Sequence, residues 1–349
     1  MAPPDGGARD ELDEALRRLR GFGPEFGPGF ANHGPMAAEA LVALDRADAV
    51  PGFVDRYVGH LEPFVGAGSA LGDDEWEGAL GAFDRFADWR ARFDREVAED
   101  PVDEALARWV PRLAPGAIAA AGHGLLRTAH ARRSLSAADT PARRQELASG
   151  LAYWAARYQE LPGPPLLVGD RGVEAALAGL PVLPEEAPDE FLIASQVKHV
   201  EMVAAPFEQA VAALADPPDA SAALVALAAG GARGYLSNVN RGHGIALLHA
   251  VTIPMALDLL LPAVDPADRP TVFAYLWQAM AAIHVAYTPD REDPTPGPAG
   301  SREHLVEAAV ESGDEHAIKL AEAALRAFDR SGDPALTAAA TDAADRFVA

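Results

Sequence analysis

Apolar residues recur three and four positions apart along most of the chain, the period of helices that bury one face. Strict alternation never continues beyond about four residues, so strands have no support. Ala, Leu, Glu and Arg, all good helix formers, dominate these stretches, and β-branched runs are scarce. The pattern predicts helices near residues 11–20, 35–47, 51–61, 74–98, 102–112, 115–133 and 141–160. It predicts a second set near 172–179, 188–215, 219–232, 243–261, 267–286, 302–312, 314–329 and 334–347. Prolines and glycines mark loops at 21–30, 161–187 and 290–301. The expected fold class is all-α, a large multi-helix single domain with its helices packed around a central buried site. Residues 1–24 read as an N-terminal segment, partly disordered, and 25–349 as the helical domain. The proline-rich stretch 161–187 is either a boundary between two lobes or a long loop over one core.

The 349 residues carry 29 Lys and Arg against 52 Asp and Glu, a net charge of −23, and 49% are apolar. A chain of this length buries roughly three quarters of its unfolded surface, which rules out a disordered chain despite the charge. The acidity argues against nucleic acid and anionic membrane surfaces, both of which demand a basic footprint. With no Cys at all, disulfide scaffolds, thiolate metal sites and cysteine nucleophiles are excluded together. The start lacks a signal-type apolar core, and the apolar stretch Ile245 to Val264 holds His249, Asp258 and two prolines, as a buried helix of a soluble protein would. A cytoplasmic location is the expectation.

Motifs for dinucleotides, P-loop phosphates, zincin metal sites and nucleophile elbows are missing. The GAGSALG at 66–72 has the wrong spacing for a nucleotide. Candidate chemistry falls instead on histidines. His33, in Asn32-His33-Gly34-Pro35-Met36, is held just before a helix start by a stiff backbone. That suits a metal ligand or a plain cap residue. His123 lies between glycines in a packed helix pattern, with His130 seven residues on and nearer the surface by its arginine neighbours. His249 has the most apolar setting of the ten histidines. Its two ring nitrogens need partners, either a metal and a carbonyl or ordinary hydrogen bonds. His316 falls in the first turn of a helix capped by Asp314, with Lys319 three residues later on the same face.

Lysine usage sharpens this picture. The chain has 27 Arg and only two Lys, Lys198 and Lys319. Arg and Lys differ wherever the amine must lose its proton. Burial lowers an amine's pKa, and a neutral amine adds carbon dioxide to give an anionic carbamate, an oxygen ligand. The plain alternative is a surface Lys319 paired with Glu315 or Glu322. Lys198, beside His199, reads as structural. Imidazoles with one oxygen donor suit iron, manganese or zinc.

FANHGPMAAEALVALDRAD, AAGHGLLRTAHA, ELASGLAYWAARY, LLHAVTIPMALDLLLP and SGDEHAIKLAEAAL together resemble the questin oxidase-like family, over about residues 25–330. That family includes fungal enzymes of anthraquinone and aflatoxin-type polyketide pathways and many bacterial members. The resemblance implies an oxygenase of the Baeyer–Villiger or aromatic-ring-cleaving type, without a flavin fold. It implies non-haem Fe(II) on His33, His123, His249, His316 and a carboxylated Lys319, with dioxygen and a flat aromatic polyketide or quinone as substrates. In fungal members the second motif often reads H-P-L-I-H. Here Gly124 and Arg127 stand at the proline and second histidine, so His123 is the ligand that the resemblance supports least. Met36, Tyr153, Trp154 and Val251 are the candidate walls of a substrate cavity. Three other readings use the same residues: a metal-independent, NADPH-using Baeyer–Villiger monooxygenase, a non-catalytic helical binder of an apolar metabolite, and a zinc hydrolase.

Overall fold

The computed structural model describes residues 6–290, 294 and 301–348, with the side chains described from residue 11. The fold is all-α. Its helices are α1 (Gly6–Leu19), α2 (Gly34–Ala43), α3 (Val50–Tyr57), α4 (Trp76–Ala79), α5 (Phe86–Glu99), α6 (Val102–Leu113), α7 (His123–Ala137) and α8 (Pro141–Ala156). There follow α9 (Val173–Ala178), α10 (Ile193–Gln196), α11 (Ala204–Ala212), α12 (Ala220–Asn238), α13 (Gly244–Leu260), α14 (Arg269–Tyr287), α15 (Arg302–Ser312), α16 (Glu315–Ser331) and α17 (Pro334–Arg346). Two two-residue strands, β1 (Glu25–Phe26) and β2 (Phe30–Ala31), pair as an antiparallel hairpin across the end of the expected 21–30 loop.

Helix starts carry their usual chemistry. Thr140, Asp219, Ser301, Asp314 and Asp333 each accept a backbone N–H of the first turn, satisfying donors that a helix otherwise leaves orphaned. Three expected helices are interrupted. The stretch 74–98 breaks at Gly81–Arg85, and 188–215 splits into α10, a 3-10 segment over Val197–Val203 and α11. The helix expected at 115–133 begins only at His123, because Ala120, Ala121 and Gly122 all take positive φ. Periodicity of apolar residues survives such breaks, so it does not reveal them.

The N-terminal segment belongs to the packed fold. Leu12, Leu16 and Leu19 of α1 are buried against α2 and α3; residues 1–5 lie outside the described residues. The stretch 161–187 is no lobe boundary. Ala176, Leu177 and Leu180 join a continuous core that also holds Leu125 and Leu336, and Gln278 donates to the carbonyls of Pro162 and Gly163. The 290–301 loop lies almost wholly outside the described residues. Among the described residues one segment, Gly244–Ala263, is long and apolar enough to cross a membrane, and 83% of its most apolar 18-residue stretch is buried inside the fold.

Four helices set up the centre. α2 packs on α7, α7 on α13, α13 on α16, and α16 closes back on α2. The α7–α8 crossing behind this ring is very tight. A Cβ on Gly124 would lie 2.4 Å from the Cα of Trp154, and one on Gly150 2.8 Å from the amide of Thr128. Glycine at both positions lets the two backbones meet, which holds the start of α7 in place.

Candidate metal centre

Each helix of the ring delivers one histidine. His33 is the N-cap residue of α2, followed by Pro35 in the first turn. Its N–H donates to the Tyr57 hydroxyl at 2.8 Å, and its ring Nδ1 donates to Glu315 Oε1 at 3.2 Å. His123 opens α7 immediately after the left-handed turn, and that turn brings the Ala120 carbonyl onto His123 Nδ1. His249 lies in the second turn of α13 and donates from Nδ1 to the Ile245 carbonyl at 2.8 Å. His316 sits in the first turn of α16, where Asp314 accepts the N–H groups of His316 and Ala317 at 2.8 and 3.0 Å.

The rings converge. His33 and His123 have ring centroids 4.6 Å apart, His33 and His316 4.5 Å, His123 and His249 4.8 Å, and His249 and His316 6.4 Å. His123 Nε2 lies 2.6 Å from His33 Nε2 and 3.2 Å from His249 Nε2. Lys319, one turn along α16 from His316, is enclosed with only 4% of its surface exposed. All five residues singled out in the sequence thus belong to one neighbourhood, and the plain reading of Lys319 as a surface residue is corrected. Lys198, by contrast, is exposed.

The hydrogen bonding determines what this cluster lacks. Carbonyl oxygens only accept, so His123 and His249 carry their proton on Nδ1, and the carboxylate of Glu315 takes the same proton from His33. Each Nε2 is then a bare lone pair. Two such lone pairs face one another at 2.6 Å, and a third at 3.2 Å, with no donor between them. Protonation is an expensive remedy. Burial, then the charge of Lys319, holds His33 well below the usual imidazole range and brings His249 down to about 3. Burial, then His249 and Lys319, does the same for His123. Burial also lowers the Lys319 amine to about 8, against the raising influence of Glu315 and Asp314. A cation among the lone pairs resolves the conflict. The Nδ1 partners are what a metal-bound imidazole needs to fix its orientation. His316 Nδ1 is buried with no hydrogen-bond partner among the described residues. One ligand atom each from His33, Glu315 and His316 falls within 4.8 Å of the others.

Glu315 was not among the sequence candidates for this centre. The sequence suggests it only as a partner of Lys319, whereas it accepts from His33. The sole signal was its place beside His316 in Asp314-Glu315-His316. His130 is not near the surface. It is buried and bonded through Nδ1 to Glu39 Oε2 at 2.6 Å. Arg127 is no empty ligand position but half of a buried ion pair with Glu146. The expected cavity walls are corrected too. Met36, Tyr153, Trp154 and Val251 are fully packed core, with the Tyr153 hydroxyl on Glu25 and the Trp154 N–H on the Gly116 carbonyl. Open clefts of about 540, 650 and 680 Å³ are lined by none of the five cluster residues.

No protein-family model matches the chain, and no curated protein matches it.

Proposed function

We propose that this chain is a metal-dependent oxygenase whose centre is non-haem iron held by His33, His123, His249, His316 and Lys319, acting on a flat aromatic polyketide or quinone. The observation that carries the metal reading is the set of three buried imidazole lone pairs aimed at one another with their Nδ1 protons committed to oxygen. The donor set supports iron within that reading: neutral imidazoles and an oxygen donor, with no thiolate. The aromatic substrate rests on the resemblance of five segments to questin oxidase-like proteins.

Bound iron supplies the electron transfer that allows dioxygen to react with a closed-shell organic molecule. The chain's own residues prepare for it. Glu315, the Ala120 carbonyl and the Ile245 carbonyl hold three rings with Nε2 inward. Tyr57 fixes the backbone of His33. Lys319, with its proton weakly held, adds carbon dioxide at Nζ, forms the N–C bond, releases a proton and becomes an anionic oxygen donor. Burial of His33, His123, His249 and Lys319 keeps bulk water away from most of the centre, and His316 stands at its partly exposed edge.

The test is iron content, measured by atomic spectroscopy on protein expressed in iron-supplemented medium, together with oxygen uptake on a hydroxylated anthraquinone. We expect about one iron per chain, none in His249→Ala, and uptake that follows the iron. Protein without metal, or metal unchanged in His249→Ala, removes the centre. Tight zinc with no oxygen uptake removes the oxygenase.

A further inference from the structure

Buried and half-buried charges that the histidine cluster leaves unused form a second layer along three of the same four helices. Glu39 lies on α2, six residues beyond His33. His130 and Arg133 lie on α7, seven and ten residues beyond His123. Glu322 and Arg326 lie on α16, three and seven residues beyond Lys319. One guanidinium ties three of these helices: Arg133 donates to Glu39 at 2.7 Å and also pairs with Glu322. Arg326 donates to Glu322 and to the Met255 carbonyl of α13, both at 2.9 Å. His130 completes Glu39 at 2.6 Å. Both carboxylates are 6% exposed.

Ion pairs this deep are a poor source of stability, because desolvation cancels most of the attraction. Their best-attested use is to specify register, since a charge that loses its partner is costly. Here the register they specify is that of the helices bearing the four histidines and Lys319. Planar, fork-shaped Arg133 spans Glu39 and Glu322 at once, which a lysine ammonium does not reproduce.

We infer that Arg133, with Glu39 and Glu322, is the positioning unit of the metal centre: it locks α2, α7 and α16 at the spacing that keeps the ligands converged before any ion arrives. This rests on the metal reading given above. Arg133 itself touches no ligand atom. It acts through the helices.

The probe is Co(II), bound to the full chain in competition with a chelator, with its visible ligand-field spectrum and the metal-free Tm recorded alongside. Arg133→Met is expected to lower the Tm and to weaken Co(II) at least tenfold. The triple variant R133M/E39Q/E322Q removes the stranded carboxylates as well. It is expected to regain most of the Tm yet remain at least tenfold weaker, with an altered spectrum. Arg133→Lys keeps the charge and is expected to fold and fall between the two; it decides the matter should neither other variant fold. A triple variant, or failing that a lysine variant, with wild-type affinity and spectrum overturns the inference and reduces Arg133 to a structural residue. A wild-type chain that takes up no Co(II) overturns the metal reading first and this inference with it.

Discussion

Two buried polar layers are threaded on the same helices, and they are opposite in kind. In the lower layer, Arg133, Arg326 and His130 meet Glu39 and Glu322 donor to acceptor. Burial alone would raise Glu39, but Arg133 and the hydrogen bonds from His130 and Arg133 outweigh it and lower the carboxyl; Glu322 is lowered in the same way by Arg133 and Arg326. That layer is complete as a protein. In the upper layer, bases face bases. His33 and His249 are lowered by burial and then by Lys319 and His316, and His123 by burial and then by His249 and Lys319; the amine of Lys319 has its own proton loosened to about 8. Each layer has a buried centre and a half-buried edge, so burial does not distinguish them. What distinguishes them is whether each acceptor has been given a donor. A satisfied layer holds helices in place. An unsatisfied one would gain from a cation, which is the basis of the metal reading proposed above.

The comparison can be broken most forcefully in the lower layer. Glu322→Ala strands part of a buried ion network and is expected to cost about 3–5 kcal/mol in urea denaturation of the metal-free chain. A loss near zero would mean the layer is not electrostatically complete. Glu315→Gln, in the upper layer, keeps an acceptor for His33 Nδ1 but removes the charge. It is expected to weaken Co(II) by roughly tenfold while leaving the metal-free Tm close to wild type. An unchanged affinity would detach Glu315 from the centre. The most gradual effect is on pH. Histidines whose folded pKa lies below the unfolded value of about 6.5 favour the neutral ring, so their contribution is complete above that pH and is lost as pH falls below it. Each costs at most about 1.4 kcal/mol per pH unit. The metal-free chain is therefore expected to lose urea resistance between pH 6.5 and 5. Lys319 has the same sign higher up, with stability rising as pH climbs from 8 through the amine's usual range. A stability that increases on acidification would mean the three imidazoles are not held neutral.

Much of the centre was legible one residue at a time. His33 before Gly34-Pro35, His249 in an apolar helix and Lys319 as one of two lysines each departed from what the surrounding composition favours. Glu315 was not legible as a partner of His33, because the two are 282 residues apart and no local pattern links them. Nor was the lower layer. His130 beside Arg132 and Arg133 has the look of a solvated helix face, and only Glu39 and Glu322 arriving from other helices turns it into an interior.

Helix content, the scarcity of strands, the lack of cysteine chemistry, and the identity of the unusual histidines and lysine were decided by composition and spacing, since those depend on residue types and on contacts within a few turns of one helix. The left-handed turn ahead of His123, the glycine-tight meeting of α7 with α8, the carboxylate on His33 and the facing lone pairs were decided only by the packed fold. Hydrogen bonds and ion pairs between distant segments depend on distances of a few ångströms, and no pattern along the chain encodes which helices will come to lie side by side.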